Sequence, residues 1–432
     1  MGGTDAKTLF RDDKLSVRSL VLASGRLFFL CGPVGGSHFN AADLYSISCE
    51  GGGASKHLSG LFCEQLQLAG DYLIINDVRQ SSRSFSLFDT AKLECRNDYK
   101  AGATESRVCL DYHDGVVLWK TSCPNMPYSL AINSVPTHPE TRQHHQLALG
   151  CLEYSRKVQD FLADCSYKTL SWEAKRNHTA THQEARANMI LVKPPRLGGR
   201  LVVVPHGGPN SIYPLEYNTL TAAFLQHGLA VAIVNYTGSI GFSQDGIEAL
   251  EGGIGAVDVD DVLCALELVQ KECSSCCEKI YLVGGSHGGY INALLTGRPD
   301  CAARFAACVL RNPVIDLHGM TLASDIDDWA FGQLKMDNDL SKPRPPTSSE
   351  LLKMQERSPS NYVQNVSCPT LIIVGERDLR VPPFQGKLWY RWLKARGVEV
   401  KLLCFPDAGH SLDTPTSESV ELSSILAFIL SH

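Results

Sequence analysis

Two serines in this 432-residue chain sit in the same tetrapeptide, Gly-Gly-Ser-His, and only one of them has neighbours that suit chemistry. Ser286 lies in Gly284-Gly285-Ser286-His287-Gly288-Gly289, directly after the apolar run IYLV and directly before YINALLTG. That is G-x-S-x-G between a predicted strand and a predicted helix, the setting of a nucleophile elbow. Gly284 and Gly288 carry no side chain where strand and helix crowd together. The following helix aims its first N–H groups at developing negative charge. Ser37 is followed by Phe39, Asn40 and the strand-like DLYSISC. It reads as a turn between β-strands.

A serine hydroxyl is a poor nucleophile until a base takes its proton, and the base needs an acid to orient it. In α/β-hydrolases these follow in the order Ser, Asp or Glu, His. The buried run TLIIVG ends near Asp378, and KLLCF ends near His410. Glu376 competes with Asp378 as the acid. Asp407 is nearer His410 in sequence, but a loop neighbour points poorly at an imidazole. Upstream, VVVPHGGPN supplies a glycine loop after an early strand. Such a loop gives one oxyanion N–H and the residue after the nucleophile gives the other, which assigns the pair to the main chains of Gly208 and His287.

The elements that must position these residues follow a change of pattern along the chain. Residues 1–185 hold short alternating runs (SVRSLVLAS, RLFFLC, DLYSISC, DYLIIND, SFSLFDT, GVVLWKTSC, YSLAIN) punctuated by Gly, Asp, Asn and Ser. They predict an all-β, partial propeller-like domain of about four blades, or a sandwich. The polar, then Pro/Gly-rich stretch RNHTATHQEARANMILVKPPRLGGR predicts a connection. Residues 186–432 alternate apolar strands with helical patterns. This predicts an α/β-hydrolase domain with a doubly wound, mostly parallel sheet and the candidate residues at the strands' carboxyl ends.

Bulk composition narrows the function. A net charge of −6 with no long like-charge run argues against nucleic acid and anionic membrane as partners. The first twenty residues contain no apolar stretch of the secretory kind, and no run reaches the ~18–20 residues of a membrane span. A cytoplasmic protein is expected, with its 16 scattered cysteines reduced. The CxxC formed by Cys273 and Cys276 lacks a second ligand pair, so no metal is expected. The sequons at Asn177, Asn235 and Asn365 carry little weight without secretion.

Taken together, PHGGP, VNYTGSIGFSQD, GGSHGGY, RNPVI, DIDDW, GERDLRVP and GHSL, spread over residues 200–412, resemble the prolyl oligopeptidase family of serine peptidases, and within it the acylaminoacyl peptidases. The resemblance implies a cytosolic enzyme that removes an N-acylated residue from the blocked end of a short peptide without a cofactor. Matched residue by residue, it makes Ser286 the nucleophile, Asp378 the acid and His410 the base. It also places Arg380 near the site, where it would orient the triad loop or a peptide carboxylate; the alternative is a surface cation. The family includes assemblies, so a homo-oligomer is open. Its seven-bladed propeller needs more chain than residues 1–185 provide. Two other readings stand beside this one: a carboxylesterase acting on small acyl esters, and a truncated, non-catalytic binding relative. Trp329 and Phe331 read as packing residues.

Overall fold

The structure, a computed structural model, describes residues 8–34, 39–96, 101–134, 146–151, 154–173, 186–337 and 344–432. Ser37 and Asn177 lie outside the described residues. The described chain forms two compact units. The first holds the residues before Ser155 together with Pro214–Tyr217, and the second holds Ser155–Tyr213 and Asn218–His432.

The first unit is three antiparallel sheets of four strands, each taken in chain order. The first sheet is β1 (Leu15–Ala23), β2 (Arg26–Pro33), β3 (Ala42–Ser48) and β4 (Ser55–Leu61). The second is β5 (Gln67–Ala69), β6 (Tyr72–Arg79), β7 (Ser82–Asp89) and β8 (Glu94–Arg96). The third is β9 (Ser106–His113), β10 (Val116–Cys123), β11 (Met126–Ser134) and β12 (Gln146–Cys151). Period-two alternation buries the middle sheet on both faces. Leu73 and Ile75 of β6 join Phe28, Leu30 and Leu44 of the first sheet. Ile74, between them, joins Val117 and Trp119 of the third. The seven runs singled out in the sequence fall on β1, β2, β3, β6, β7, β10 and β11. Among the described residues three such sheets form, where about four blades were expected.

The second unit begins with α1 (Arg156–Asp164), β13 (Ser166–Glu173), β14 (Arg186–Lys193), β15 (Arg200–Pro205), α2 (Thr219–Gln226), β16 (Leu229–Asn235), α3 (Gln244–Leu250) and α4 (Val257–Glu272). It continues with β17 (Lys279–Gly285), α5 (His287–Gly297), β18 (Ala307–Arg311), α6 (Leu317–Ala323), α7 (Trp329–Gln333) and α8 (Ser348–Arg357). It ends with β19 (Thr370–Gly375), α9 (Phe384–Ala395), β20 (Val400–Phe405) and α10 (Pro415–Leu430). Its sheet has eight strands in the order β13-β14-β16-β15-β17-β18-β19-β20. β14 runs antiparallel to both neighbours, and the remaining pairs are parallel.

This corrects the boundary expected at 185/186. β13 pairs along its whole length with β14. The stretch read as a connection is in part β14, buried from Ala187 to Val192, and in part outside the described residues. β16 and β19 are buried at every position, as strands covered on both faces must be. β15 lies between β16 and β17, so successive crossovers leave it to opposite sides. A crevice opens at such a switch, at the carboxyl ends of the strands.

Candidate active site

Ser286 joins β17 to α5 with φ 56° and ψ −121°, a backbone region that side-chain-bearing residues rarely occupy. The elbow holds because its surroundings leave no alternative. A methyl group on Gly284 would sit 2.6 Å from the Gly288 carbonyl oxygen, and one on Gly288 would sit 2.3 Å from that of Pro205. The Ser286 N–H donates to Arg311 O at 2.9 Å, and Ser286 O accepts from the Tyr290 N–H at 3.0 Å. That second bond is the first turn of α5, which leaves the His287 N–H at the helix start without an intrahelical acceptor.

Asp378 lies in the turn after β19 with its side chain fully buried. Oδ1 accepts the main-chain N–H groups of Arg380 and Val381, each at 2.9 Å. Oδ2 lies 2.6 Å from Nδ1 of His410, in the loop after β20. Three donors therefore fix one carboxylate. A carboxylate only accepts, so Nδ1 carries the proton and Nε2 is left as the basic nitrogen. His410 is 30% exposed at its side chain, which leaves that nitrogen a route to substrate. The competing acids are engaged elsewhere: Glu376 with Lys387 at 2.5 Å and Asp407 with Arg377 at 2.5 Å.

The glycine loop follows β15. A methyl on Gly207 would lie 3.3 Å from Cβ of Ser286, and Gly208 takes φ 122°, open to glycine. His206 anchors the loop. Its Nδ1 donates to Gly207 O at 2.6 Å, its Nε2 lies 2.7 Å from Oγ of Ser239, and its own carbonyl accepts from the Tyr236 hydroxyl at 2.9 Å. Burial pushes the His206 imidazole down to about 3, so it stays neutral.

Gly207, Gly208, Ser286, His410 and Arg380 line one cavity of about 890 Å³. Its walls add Val314, Met320, Ile326, Trp329 and Leu220, with Arg311, Glu418 and Glu421 as further charged members. No hydrogen bond joins Oγ of Ser286 to His410 among the described residues, and such contacts commonly tighten only when substrate binds. Among the described residues no group of three or more His, Cys, Asp or Glu is placed to hold a metal ion. No described helix is long and apolar enough to cross a membrane.

Residues 216–432 match the model of the prolyl oligopeptidase family, which covers half of the chain. The chain belongs to that family. Acylamino-acid-releasing enzyme of Mus musculus is 30% identical over 395 residues, 87% of this chain and 51% of the relative. Acylamino-acid-releasing enzyme 1 of Oryza sativa subsp. japonica is 37% identical over 234 residues, 54% of this chain and 30% of the relative. The chain thus spans about half the length of the mouse relative. Among solved structures, an acylaminoacyl peptidase of Pyrococcus horikoshii superposes with a TM-score of 0.68 at 18% identity, over 97% of this chain and 70% of that one. A Mycobacterium tuberculosis puromycin-hydrolyzing peptidase gives 0.75 at 18% identity, over 98% and 62%. At that identity the likeness is one of fold: a β-rich N-terminal part and an α/β-hydrolase C-terminal part.

In this prolyl oligopeptidase-family chain the expected residues separate into two groups. Asp378 and His410 are in direct contact, and Ser286, Gly208 and His410 share one cavity wall. Arg380 also lines the cavity, but its guanidinium pairs with Asp325 at 2.6 Å, both side chains being nearly half exposed. Trp329, read as packing, lines the cavity and meets His287 edge-on at 6.0 Å; Phe331 is simply buried. Sequence reasoning gave no role to Asp258, which meets His287, or to Asn312, which meets the His410 loop. Asp258 reads as an ordinary acid in a helix's first turn. Asn312 stood inside the matching segment RNPVI, which was the available signal.

Proposed function

We propose that the chain is a serine hydrolase that releases an N-acylated amino acid from the blocked end of a short peptide. The observation that carries this is the buried Asp378 carboxylate holding Nδ1 of His410 at the rim of the cavity into which the strained elbow presents Ser286. In this reading Nε2 of His410 takes the Ser286 proton as Oγ attacks the scissile carbonyl. The oxyanion is met by the N–H groups of Gly208 and His287, each worth on the order of 3 kcal/mol in the transition state. His410 then passes the proton to the leaving amine, and water releases the acyl group by the same route in reverse. Asp378 stays ionised and holds the tautomer. The names of the relatives support an N-acyl-aminoacyl substrate. The apolar wall formed by Val314, Met320 and Ile326 suits an uncharged first side chain.

The three sheets of the first unit are read here as blades of a propeller-like domain. The scattered thiols suit a reducing compartment such as the cytoplasm. The deciding experiment is hydrolysis of an acetyl-alanyl peptide by the parent and by Ser286→Ala, together with labelling by a fluorophosphonate. A loss on the order of a millionfold in turnover, with labelling abolished, is expected. A parent that neither hydrolyses the peptide nor takes the label overturns the reading.

A further inference from the structure

β18 is the strand between the nucleophile and the acid. Gly285, at the end of β17, pairs with Arg311, and Arg311 pairs with Ile373 of β19. The chain leaves the sheet immediately afterwards, at Asn312, and this two-residue exit touches the mounting of every member of the constellation. The Arg311 carbonyl accepts the Ser286 N–H. The Asn312 N–H donates to Ile373 O at 2.7 Å, and Oδ1 of Asn312 accepts the Gly375 N–H at 2.8 Å, at the end of the strand that leads to Asp378. Nδ2 of Asn312 donates to the carbonyl of His410 at 2.9 Å. The Arg311 guanidinium donates to the carbonyl of Ser411, and its Nε is paired at 2.8 Å with Oε1 of Glu421 on α10.

The residue type at 312 follows from what it must do. One side chain has to accept from one strand end and donate to the next loop, which an amide does and a carboxylate cannot. Asn312 is 2% exposed, so neither bond competes with bulk water. Its φ is 40°, the left-handed region, which asparagine tolerates better than most residues. The next residue is Pro313, which restricts the residue before it further. A conformation this unfavourable persists where the surroundings over-determine it. Glutamine would carry the same amide on a longer stem, out of reach of this pair of partners.

We propose that Arg311 and Asn312 are positioning residues for the reaction: together they fix the base loop of His410 against the nucleophile elbow and the acid-bearing strand end, with Glu421 steering the arginine. The assignment rests on the reading of Ser286, Asp378 and His410 given above. Neither side chain transfers a proton or forms a bond. Asn312 acts through the His410 carbonyl and Arg311 through that of Ser411, so what they set is the approach of the imidazole to Oγ. Misplacement of this kind is felt in turnover far more than in binding.

Four variants test it. Asn312→Asp keeps the left-handed backbone and the bond from Gly375 but cannot donate to His410. Asn312→Gly keeps only the backbone. Arg311→Met removes the tie to Ser411, and Arg311→Lys restores a donor. Active-site titration with a fluorophosphonate gives the competent fraction, so partial unfolding is separated from slow chemistry. Per titrated site, Asn312→Asp is expected to lose about 100-fold in kcat on an acetyl-alanyl anilide with KM changed by less than about threefold. Arg311→Met should lose about tenfold, and Arg311→Lys should recover most of it.

A readout independent of turnover is amide hydrogen exchange of the loop around His410. It should quicken in Asn312→Asp while the central strands keep their protection. Unchanged turnover per site in both Asn312→Asp and Arg311→Met overturns the proposal, as does unchanged exchange in the loop. An inactive, unlabelled parent with quickened loop exchange in the variants would instead refute the functional reading and leave the mechanical tie standing. Should the Asn312 variants fail to fold, Arg311→Met and Glu421→Gln carry the same comparison.

Discussion

Nε2 of His287 lies 2.8 Å from Oδ2 of Asp258, and neither side chain is exposed at all. His287 follows the proposed nucleophile, so its main chain is part of the elbow while its imidazole is packed beneath it. The ring stacks on Tyr290 at 5.0 Å and meets Trp329 edge-on at 6.0 Å. Asp258→Ala would leave that imidazole buried without its partner, a loss of about 3 kcal/mol. Urea denaturation should show it, and Asp258→Asn, which still offers an oxygen, should recover much of it. Hydrolysis by the Ala variant is expected to fall further than the unfolded fraction explains, because the His287 N–H loses its mounting. An unchanged unfolding midpoint would refute the account.

The residues that sequence made legible are those whose geometry is local. Gly284, Ser286 and Gly288 announce an elbow because crowding between a strand and the next helix is decided within five residues. Asp378 and His410 stand just past apolar runs, so their place at the sheet's carboxyl edge follows from the pattern alone. Asp258 and Asn312 act on partners 29 and 98 residues away, His287 and His410, and nothing in their own surroundings says so. The fold shows the same division. β16 and β19 read as buried runs, whereas β5 and β8, three residues each, are too short to carry a period. β13 alternates between exposed and half-buried positions. A polar strand that owes its place to a neighbour is invisible without that neighbour, and the domain boundary was set too late for that reason.

Gly288→Ala is expected to be among the most damaging single-methyl changes in the second unit. The added carbon would sit 2.3 Å from Pro205 O and 3.0 Å from His206 O, and main-chain atoms cannot swing aside as a side chain can. Relief requires β15 and α5 to part, which costs about 3 kcal/mol or more. It would also move the glycine loop away from Ser286. Denaturation midpoints and the rate of fluorophosphonate labelling should both drop. Gly53→Ala, where a methyl would meet nothing within 4 Å, is the matched control. Normal labelling of Gly288→Ala would show that the elbow is not held as described.

Two buried groups give stability opposite pH dependences. Burial pushes Asp261 up from 3.8 to about 6, despite bonds from the Thr237 N–H and Trp172 Nε1 at 2.7 and 2.8 Å. Between those values the folded chain binds more protons than the unfolded one, so this group's contribution falls as pH rises from about 4 to about 6 and is flat above. Burial lowers His206 from 6.5 to about 3, so its unfolded form takes up protons first and its contribution falls as pH drops through that window. Asp261→Asn removes only the first contribution. Its stability relative to the parent should therefore rise by up to about 3 kcal/mol between pH 4 and pH 6, then level off. Urea unfolding at a series of pH values measures the gap. A gap independent of pH would mean that Asp261 titrates normally.

Arg380 separates a substrate contact from a surface ion pair. Its side chain reaches Asp325 at 2.6 Å with 46% and 42% of the two side chains exposed, an arrangement worth under about 1 kcal/mol. The bond that matters to Asp378 comes from the Arg380 main chain, at 2.9 Å, and survives any change of side chain. Arg380→Met should therefore unfold at nearly the parental midpoint and keep its fluorophosphonate reactivity. If the guanidinium receives the peptide carboxylate, KM for an acetyl-dipeptide with a free C-terminus should rise about tenfold while that for the corresponding amide stays put. A KM for the free acid that is the same in parent and variant would assign Arg380 to the surface, and a preference for the acid over the amide that survives in the variant would pass recognition of the peptide end to Arg311, the other arginine on the cavity wall.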